Sequence, residues 1–422
     1  MAGFKYIDEN LCCDGISIEE ICNERETPFY LYSYGEFKER MNRFQEAFSG
    51  IKSLICYALK ANSNSALLSV VQREGMGADV VSGGELHRAL QAGIPPEKIV
   101  FAGVGKTRKE IELAMNSEIM ALNVESFPEL KLILKIAEEK DCVAPISLRV
   151  NPNIDPRTHP YISTGMQENK FGIDLSRAKE AYRIVKRNDL LEPVGIHAHI
   201  GSQITEARPF KDALSKVVEF TEDLVSDGIE LDFMDIGGGL GIKYKDDDSF
   251  VSVEKYAEVI KLEIGDLSYD PLLIIEPGRS IIGPAGVLVT EIIYVKEKNR
   301  KIFFVVDAGM NDFIRPSLYE AWHEIVPLKN LDDRGKVTAD IVGPVCESGD
   351  FFAKERTMPV VKAGEKLAIM DAGAYGFSMA SNYNSRVKPQ EILIKDNESF
   401  LIRDREKLED LTKEENIPDF LK

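Results

Sequence analysis

The sequence is short of cysteine, histidine and positive charge, and each shortage closes off a class of protein. Its six cysteines are scattered over 422 residues without a CxxC pair. That excludes a disulfide-built scaffold and the common zinc-ribbon spacings, and it suits a reducing compartment. Lys and Arg number 52 against 70 Asp and Glu, a net charge of −18. A nucleic-acid partner needs a basic surface that releases counterions, so none is expected. No apolar run approaches the roughly 18 residues of a membrane span, and no membrane partner is expected. The first residues, MAGFKYIDEN, hold neither an apolar signal core nor a glycine at position 2, which makes a cytoplasmic location the expectation. The remaining composition, 44% hydrophobic and 29% charged, is that of an ordinary globular protein.

Length predicts two to four domains at roughly 100–200 residues each. Short β-rich runs alternate with helical spacing through the first two thirds. Candidate strands lie at 53–59, 78–81, 99–102, 119–124, 145–150, 194–200, 231–236 and 272–276. Between them, SFPELKLILKIAEEK (126–140) has a Ser cap, a Pro in its first turn and Lys at its end. Eight strand–helix units predict a (β/α)8 TIM-type barrel over 35–283. A doubly wound sheet would need a dominant phosphate-binding turn after its first strand, and none is there. From 284 to 422 the texture becomes β-branched runs broken by Gly, Pro, Asn and Asp. This predicts a C-terminal all-β domain, sandwich or barrel, with helical spacing only near 316–325 and in a charged tail from about 403. The run PFYLYS assigns segment 1–34 to that β domain as an added strand. The stretch 151–175 reads as a long irregular connection, the kind that more often covers a site than spaces domains.

Catalysis in such barrels sits at the C-terminal ends of the strands. There the sequence places Lys60, Asp79, Asn123, Arg149, His199, Gly237 to Gly239, and Glu276, Pro277, Gly278 and Arg279. Lys60, after an apolar strand, is either a snorkelling surface group or a desolvated amine suited to a Schiff base. The glycines of GGGLG (237–241) fit either a tight turn or a backbone cradle for phosphate. Glu276 and Arg279 fit an ion pair, or a carboxylate for a protonated pyridine nitrogen beside an anion-binding guanidinium. His197 and His199, spaced by two, fit a metal site of the barrel-hydrolase kind or an imidazole stacked on a ring with Ser202 on phosphate. In the β region, Cys346 next to Glu347 is either inert packing or a proton donor on an exposed turn.

The ordered motifs YALKAN, HAHIGSQ, DIGGGLG, EPGRS, RPSLY, CESGD and AYGFSM resemble the fold-type III, alanine racemase-like decarboxylases that use pyridoxal 5'-phosphate. The resemblance runs over roughly residues 25 to 400. It implies a Lys60 that carries the cofactor and a His199 stacked on its ring. Ser202, Gly239 and Arg279 would lie near the phosphate, and Glu276 at the pyridine nitrogen. Tyr375 would touch the cofactor, while Asp79, Glu85 and Arg149 would support the lysine and ring. For substrate it implies Arg279, Arg315, Tyr319, Glu347 and Tyr375, with Cys346 donating the last proton, and no metal. It also implies a homodimer whose Cys346 and Glu347 reach the other chain's barrel. A Glu rather than an Asp after the cysteine, with RPSLY, favours a small amino-acid substrate with two amino-acid heads, meso-2,6-diaminopimelate, giving L-lysine and CO2. A polyamine precursor such as carboxynorspermidine is the nearest rival. A metal-dependent hydrolase and a non-catalytic pyridoxal-phosphate binder are rivals of other classes.

Overall fold

The computed structural model describes residues 3–155, 170–245, 247–331 and 333–422. Most of the long 151–175 connection, 156–169, lies outside the described residues, and so does His159. Contacts divide the chain into two compact units. One comprises Arg40–Lys243 and Asp247–Ile281, the other Met1–Glu39, Tyr244–Asp246 and Ile282–Lys422.

The first unit is a closed parallel barrel. Its strands are β1 (Ser53–Ala58), β2 (Gly77–Val80), β3 (Ile99–Phe101), β4 (Ala121–Val124), β5 (Ala144–Asn151), β6 (Leu191–His197), β7 (Phe233–Asp235) and β8 (Leu272–Ile275). Each pairs in parallel with the next, and β8 returns to β1 through Leu273, Ile274 and Ile275 against Ser53, Leu54 and Ile55. With water excluded from both faces, the strands are near-continuous apolar runs rather than alternating ones. Cys56, Val100, Ala121, Val194, Phe233 and Ile274 form one of its buried clusters.

Five of the intervening helices start where the sequence supplies a side-chain acceptor for their first free N–H groups, whereas Leu175–Lys186 and Arg208–Ser226 start without one. Asn64, Ser82, Ser126 and Ser252 each accept from a backbone N–H two or three residues on. Thr107 and Glu110 cap each other reciprocally. These caps fix the helix starts that follow β1, β2, β3, β4 and β7, on the side of the barrel where the strand-end residues stand.

The second unit is built on a mixed sheet. Its long strand β9 (Gly286–Lys298) pairs first with Phe29–Ser33 and later with β10 (Lys301–Val306). A register irregularity between Ile292 and Tyr294 marks the change of partner, the bend expected of a β-bulge. The sheet continues through β11 (Ile325–Pro327), β12 (Lys336–Val342), β13 (Phe351–Pro359), β14 (Lys366–Ile369), β15 (Gln390–Lys395) and β16 (Glu398–Arg403). Phe29, Leu31, Val287, Val289, Ala368, Ile392 and Ile394 make its core.

Three local readings of the sequence are corrected. The sixth strand ends at His197 rather than at 200, because its neighbour β7 ends at Asp235, whose carbonyl takes the last pairing, the Ala198 N–H at 2.8 Å. Helix near 316–325 is confined to Arg315–Tyr319, stopped by a left-handed Glu320. The charged tail forms only short 3-10 turns at Leu408–Leu411 and Asp419–Leu421. Without an apolar stripe to bury, it has nothing to hold a longer helix in place. Among the described residues no helix is long and apolar enough to cross a membrane.

Candidate active site

The barrel unit gathers Lys60, Asp79, Glu85, Arg149, His199, Ser202, Gly237, Gly238, Gly239, Glu276, Pro277, Gly278 and Arg279. Lys60 stands in a single 3-10 turn, Leu59–Ala61, directly after β1. Its Nζ lies 2.6 Å from Asp79 Oδ2 at the end of the adjacent β2. Asp79 is fully buried, and its Oδ1 has no hydrogen-bond partner among the described residues. Burial and the nearby Glu276 push the Asp79 carboxyl up, against the pull of Lys60.

Glu85 begins the helix Gly83–Gln91 and accepts the Val81 N–H at 2.8 Å. Burial first, then Asp79, pushes its carboxyl up to about 7. Arg149 Nη1 donates to Glu125 Oε1 at 2.6 Å, and its guanidinium lies over the Phe171 ring at 4.6 Å.

His199 follows β6. Its Nδ1 accepts the Gly238 N–H at 3.1 Å, which fixes the tautomer with the proton on Nε2. Burial, with Lys60 and Arg149 nearby, holds the imidazole well below its ordinary pKa, so the ring is neutral. The glycines after β7 are sterically required: a Cβ on Gly238 would overlap the Glu276 carbonyl oxygen, and one on Gly239, at φ 103°, the Gly201 carbonyl oxygen. Arg279 Nη2 donates to Ser202 Oγ at 3.1 Å. Glu276 extends the pairing of β8 with β7 through its N–H to Gly237 O at 2.9 Å. Burial would raise its carboxyl, but His197 and Lys60 pull it below the usual carboxylate range.

The β unit holds the other predicted residues. Arg315 is buried, with Nη1 donating to Tyr244 Oη and to His323 Nε2, each at 2.8 Å. His323 Nδ1 in turn donates to the Met370 carbonyl at 2.8 Å, which leaves Nε2 as the acceptor. Tyr319 ends the same short helix, half-buried. Ser317 Oγ ties that helix to the CESGD turn through Gly349 O at 2.6 Å. Asp350 pins the turn by accepting the Val345 and Met310 N–H groups, each at 2.6 Å. Cys346 and Glu347 are thereby presented to solvent, Cys346 with its N–H on Asn384 Oδ1 at 2.9 Å. The Tyr383 hydroxyl is pushed up by its hydrogen bond to Glu347. Tyr375 adopts a left-handed φ of 57°. Arg279 and Arg315, both implied as substrate residues by the sequence, belong to different units and each already has side-chain partners.

The sequence reading missed a buried ionic network behind Arg149. Glu125, besides Arg149, accepts the N–H of Gly103 at 3.2 Å and of Gly172 at 2.8 Å. Its own N–H donates to Glu129 Oε2, whose Oε1 takes Lys106 Nζ at 2.7 Å. It also missed Asp235, the last residue of β7. The signal was a carboxylate at the rim end of the seventh candidate strand, directly before the GGGLG turn. Among the described residues one cluster has the composition of a metal site, His197, Asp235 and Glu276. It draws on His197 and leaves out His199, whose Nδ1 is engaged by Gly238.

These residues fit pyridoxal phosphate. An amine poised on a carboxylate, a neutral imidazole, an ionised buried glutamate and a glycine turn open to an anion match its carbonyl, ring, ring nitrogen and phosphate. Fold and rim together define a barrel enzyme that works through this cofactor. The family model described as the pyridoxal-dependent decarboxylase, pyridoxal binding domain, matches residues 34–283. The chain is 48% identical over 402 residues to the diaminopimelate decarboxylase of Aquifex aeolicus, covering 95% of this chain and 94% of that one. It is similar to the crystal structure of diaminopimelate decarboxylase from Helicobacter pylori complexed with L-lysine, with 48% identity, a TM-score of 0.91 and coverage of 94% and 98%. The M. jannaschii diaminopimelate decarboxylase structure, also with L-lysine, gives 39% identity, a TM-score of 0.95 and full coverage of both chains, 100% each. The chain belongs to the diaminopimelate decarboxylase family of pyridoxal-dependent decarboxylases. It is a carboxy-lyase with pyridoxal phosphate as cofactor.

Proposed function

We propose that the chain converts meso-2,6-diaminopimelate to L-lysine and CO2, a reaction of lysine biosynthesis. The observation that carries the reading is the Lys60–Asp79 pair, 2.6 Å apart on a barrel rim where Glu276 stays ionised despite burial. Relatives of the same name and the L-lysine complexes support the substrate.

Pyridoxal phosphate, when bound, supplies an electron-withdrawing cationic ring that takes up the electron pair left as CO2 departs. In this reading Lys60 holds the cofactor covalently, and Asp79 supplies the counter-charge that keeps Nζ in place. His199, neutral and fixed by Gly238, packs on the ring without adding charge. Gly237, Gly238, Gly239, Ser202 and Arg279 receive the phosphate. Glu276 holds the ring nitrogen's proton, and Arg149, anchored on Glu125, keeps the wall beside Lys60 rigid. Pro277 and Gly278 shape the turn between Glu276 and Arg279.

For substrate, Arg279, Arg315, Tyr319 and Tyr375 are assigned to its carboxylates and Glu347 to the distal ammonium. Cys346, solvent-facing, donates the proton that replaces the lost carboxylate. The assembly proposed is a homodimer in which Cys346 and Glu347 of one chain complete the barrel site of the other, working in the cytoplasm. Residues 35–283 are taken as the cofactor-binding domain, and 284–422 with 1–34 as the β domain.

The test is CO2 release from meso-diaminopimelate, L-lysine, L-ornithine, L-arginine and carboxynorspermidine under identical conditions, with amine products quantified. A site built for a distal carboxylate and ammonium should favour meso-diaminopimelate by orders of magnitude, since the others leave charged groups unmatched. Faster turnover of carboxynorspermidine or ornithine would overturn the substrate while leaving the cofactor assignment standing.

A further inference from the structure

Four ionisable groups from four barrel strands meet in the interior: Asp79 at the end of β2, His197 of β6, Asp235 of β7 and Glu276 after β8. All are buried, none more than 3% exposed. His197 Nε2 lies 3.6 Å from Glu276 Oε1, an electrostatic contact longer than a hydrogen bond. Ligand atoms of His197, Asp235 and Glu276 all fall within 4.8 Å of one another. Asp235 Oδ1 is fixed by the Gly237 N–H at 2.9 Å. Asp235 Oδ2, Glu276 Oε1 and both nitrogens of His197 have no hydrogen-bond partner among the described residues.

A barrel stable without function would fill these positions with aliphatic side chains. Burying three carboxylates together costs several kcal/mol per charge unless protons or cations offset them, so the cluster needs a reason. Glu276 is the one member assigned to the cofactor; His197 and Asp235 have no part in binding or chemistry as derived above. Resting on that cofactor reading, we propose that His197 and Asp235 are positioning residues that hold Glu276 as a single, oriented carboxylate and thereby keep the ring nitrogen it serves protonated.

The division of charge follows from the surroundings. Asp235 is pushed well up by burial and by Glu276, so it carries a proton. Glu276 is pulled down by His197 and Lys60, in spite of burial, and stays ionised. Two adjacent buried carboxyls cannot both ionise, and His197 decides which one does. The groups facing Glu276 are thus His197 and His199 from the β6 side, Asp235 from β7, Asp79 from β2 and Lys60 after β1, together with the buried Cys56 thiol of β1 and the Tyr256 hydroxyl, both pushed up by burial and by the nearby carboxyls.

The experiment compares the holoenzyme with His197→Gln, Asp235→Asn and Asp235→Ala. Readouts are the pH titration of the bound cofactor's visible absorption, the cofactor's dissociation constant, and kcat and KM against pH. Removing His197 should move the acid-side spectral transition and the acid limb of kcat upward by about one pH unit or more, because Glu276 loses the neighbour that pulls its carboxyl down most. KM should change little. Asp235→Asn, a neutral group of the same shape, should titrate like the wild type, whereas Asp235→Ala should shift and bind the cofactor more weakly. If Asp235→Ala does not fold, His197→Gln and Asp235→Asn still decide the question. A wild-type protein that takes up no pyridoxal phosphate overturns the cofactor reading and the inference with it. A yellow wild type whose His197→Gln form titrates at the same pH, with unaltered cofactor affinity, overturns the inference alone.

Discussion

Lys60 and Asp79 lie 2.6 Å apart on adjacent strand ends, yet only the lysine meets solvent, its side chain 32% exposed against 0% for the aspartate. The asymmetry has an energetic consequence. Asp79 bears most of the desolvation cost, while the part-exposed lysine recovers little from the pair. Asp79→Asn should therefore leave folding stability within about 1 kcal/mol of the wild type. It should reduce cofactor affinity and kcat by about ten- to hundredfold, the worth of one hydrogen bond between charged groups. Urea unfolding alongside cofactor titration checks both halves; a large loss of stability with normal cofactor binding would make the pair structural.

Glu85 gives a pH dependence with a definite sign. Its carboxyl rises from an ordinary 4.5 to about 7 in the folded state. The folded protein then holds this proton more tightly than the unfolded chain, so stability is full below about 4.5 and falls as pH rises towards 7. Glu85→Gln keeps an acceptor for the Val81 N–H and removes the titration. It should flatten that fall and stabilise the protein at pH 8 by about 1–3 kcal/mol, discounted for partial exposure. Melts between pH 4 and 8 should show the two profiles converging at the acid end.

The proposed sharing of the site between chains is open to complementation. Lys60→Ala and Cys346→Ala proteins, each inactive alone, should recover activity when mixed and allowed to exchange subunits. Each hybrid dimer would keep one site with both residues, so about a quarter of wild-type activity is expected from random pairing. Continued inactivity after proven exchange would place Cys346 and Lys60 in one chain's site.

The barrel was legible because each parallel strand is a short apolar run that stops at a polar residue, as SLICYAL stops at Lys60 and LLII at Glu276. A run buried on both faces needs no long-range information to be recognised. The three-stranded sheet of Phe4–Ile7, Asn10–Cys13 and Ile16–Ser17 escaped notice because strands of two to four residues are too short for periodicity to register. Glu125, Lys106 and Glu129 read as ordinary surface charges; only the closing of β3, β4 and β5 side by side turns them into a buried network. The grouping of Asp235 and His197 with Glu276 was hidden in the same way. Their meaning lies in their distance from Glu276, which no spacing along the chain displays.

The most direct test of the account reduces the wild-type holoenzyme with borohydride, digests it and locates the modified peptide by mass spectrometry. The account predicts loss of the visible absorption and of activity, with one pyridoxyl group per chain on Lys60. It also predicts that Lys60→Ala takes up no reducible cofactor. A stable adduct on another lysine, or a colourless wild type that turns over meso-diaminopimelate without pyridoxal phosphate, would contradict it.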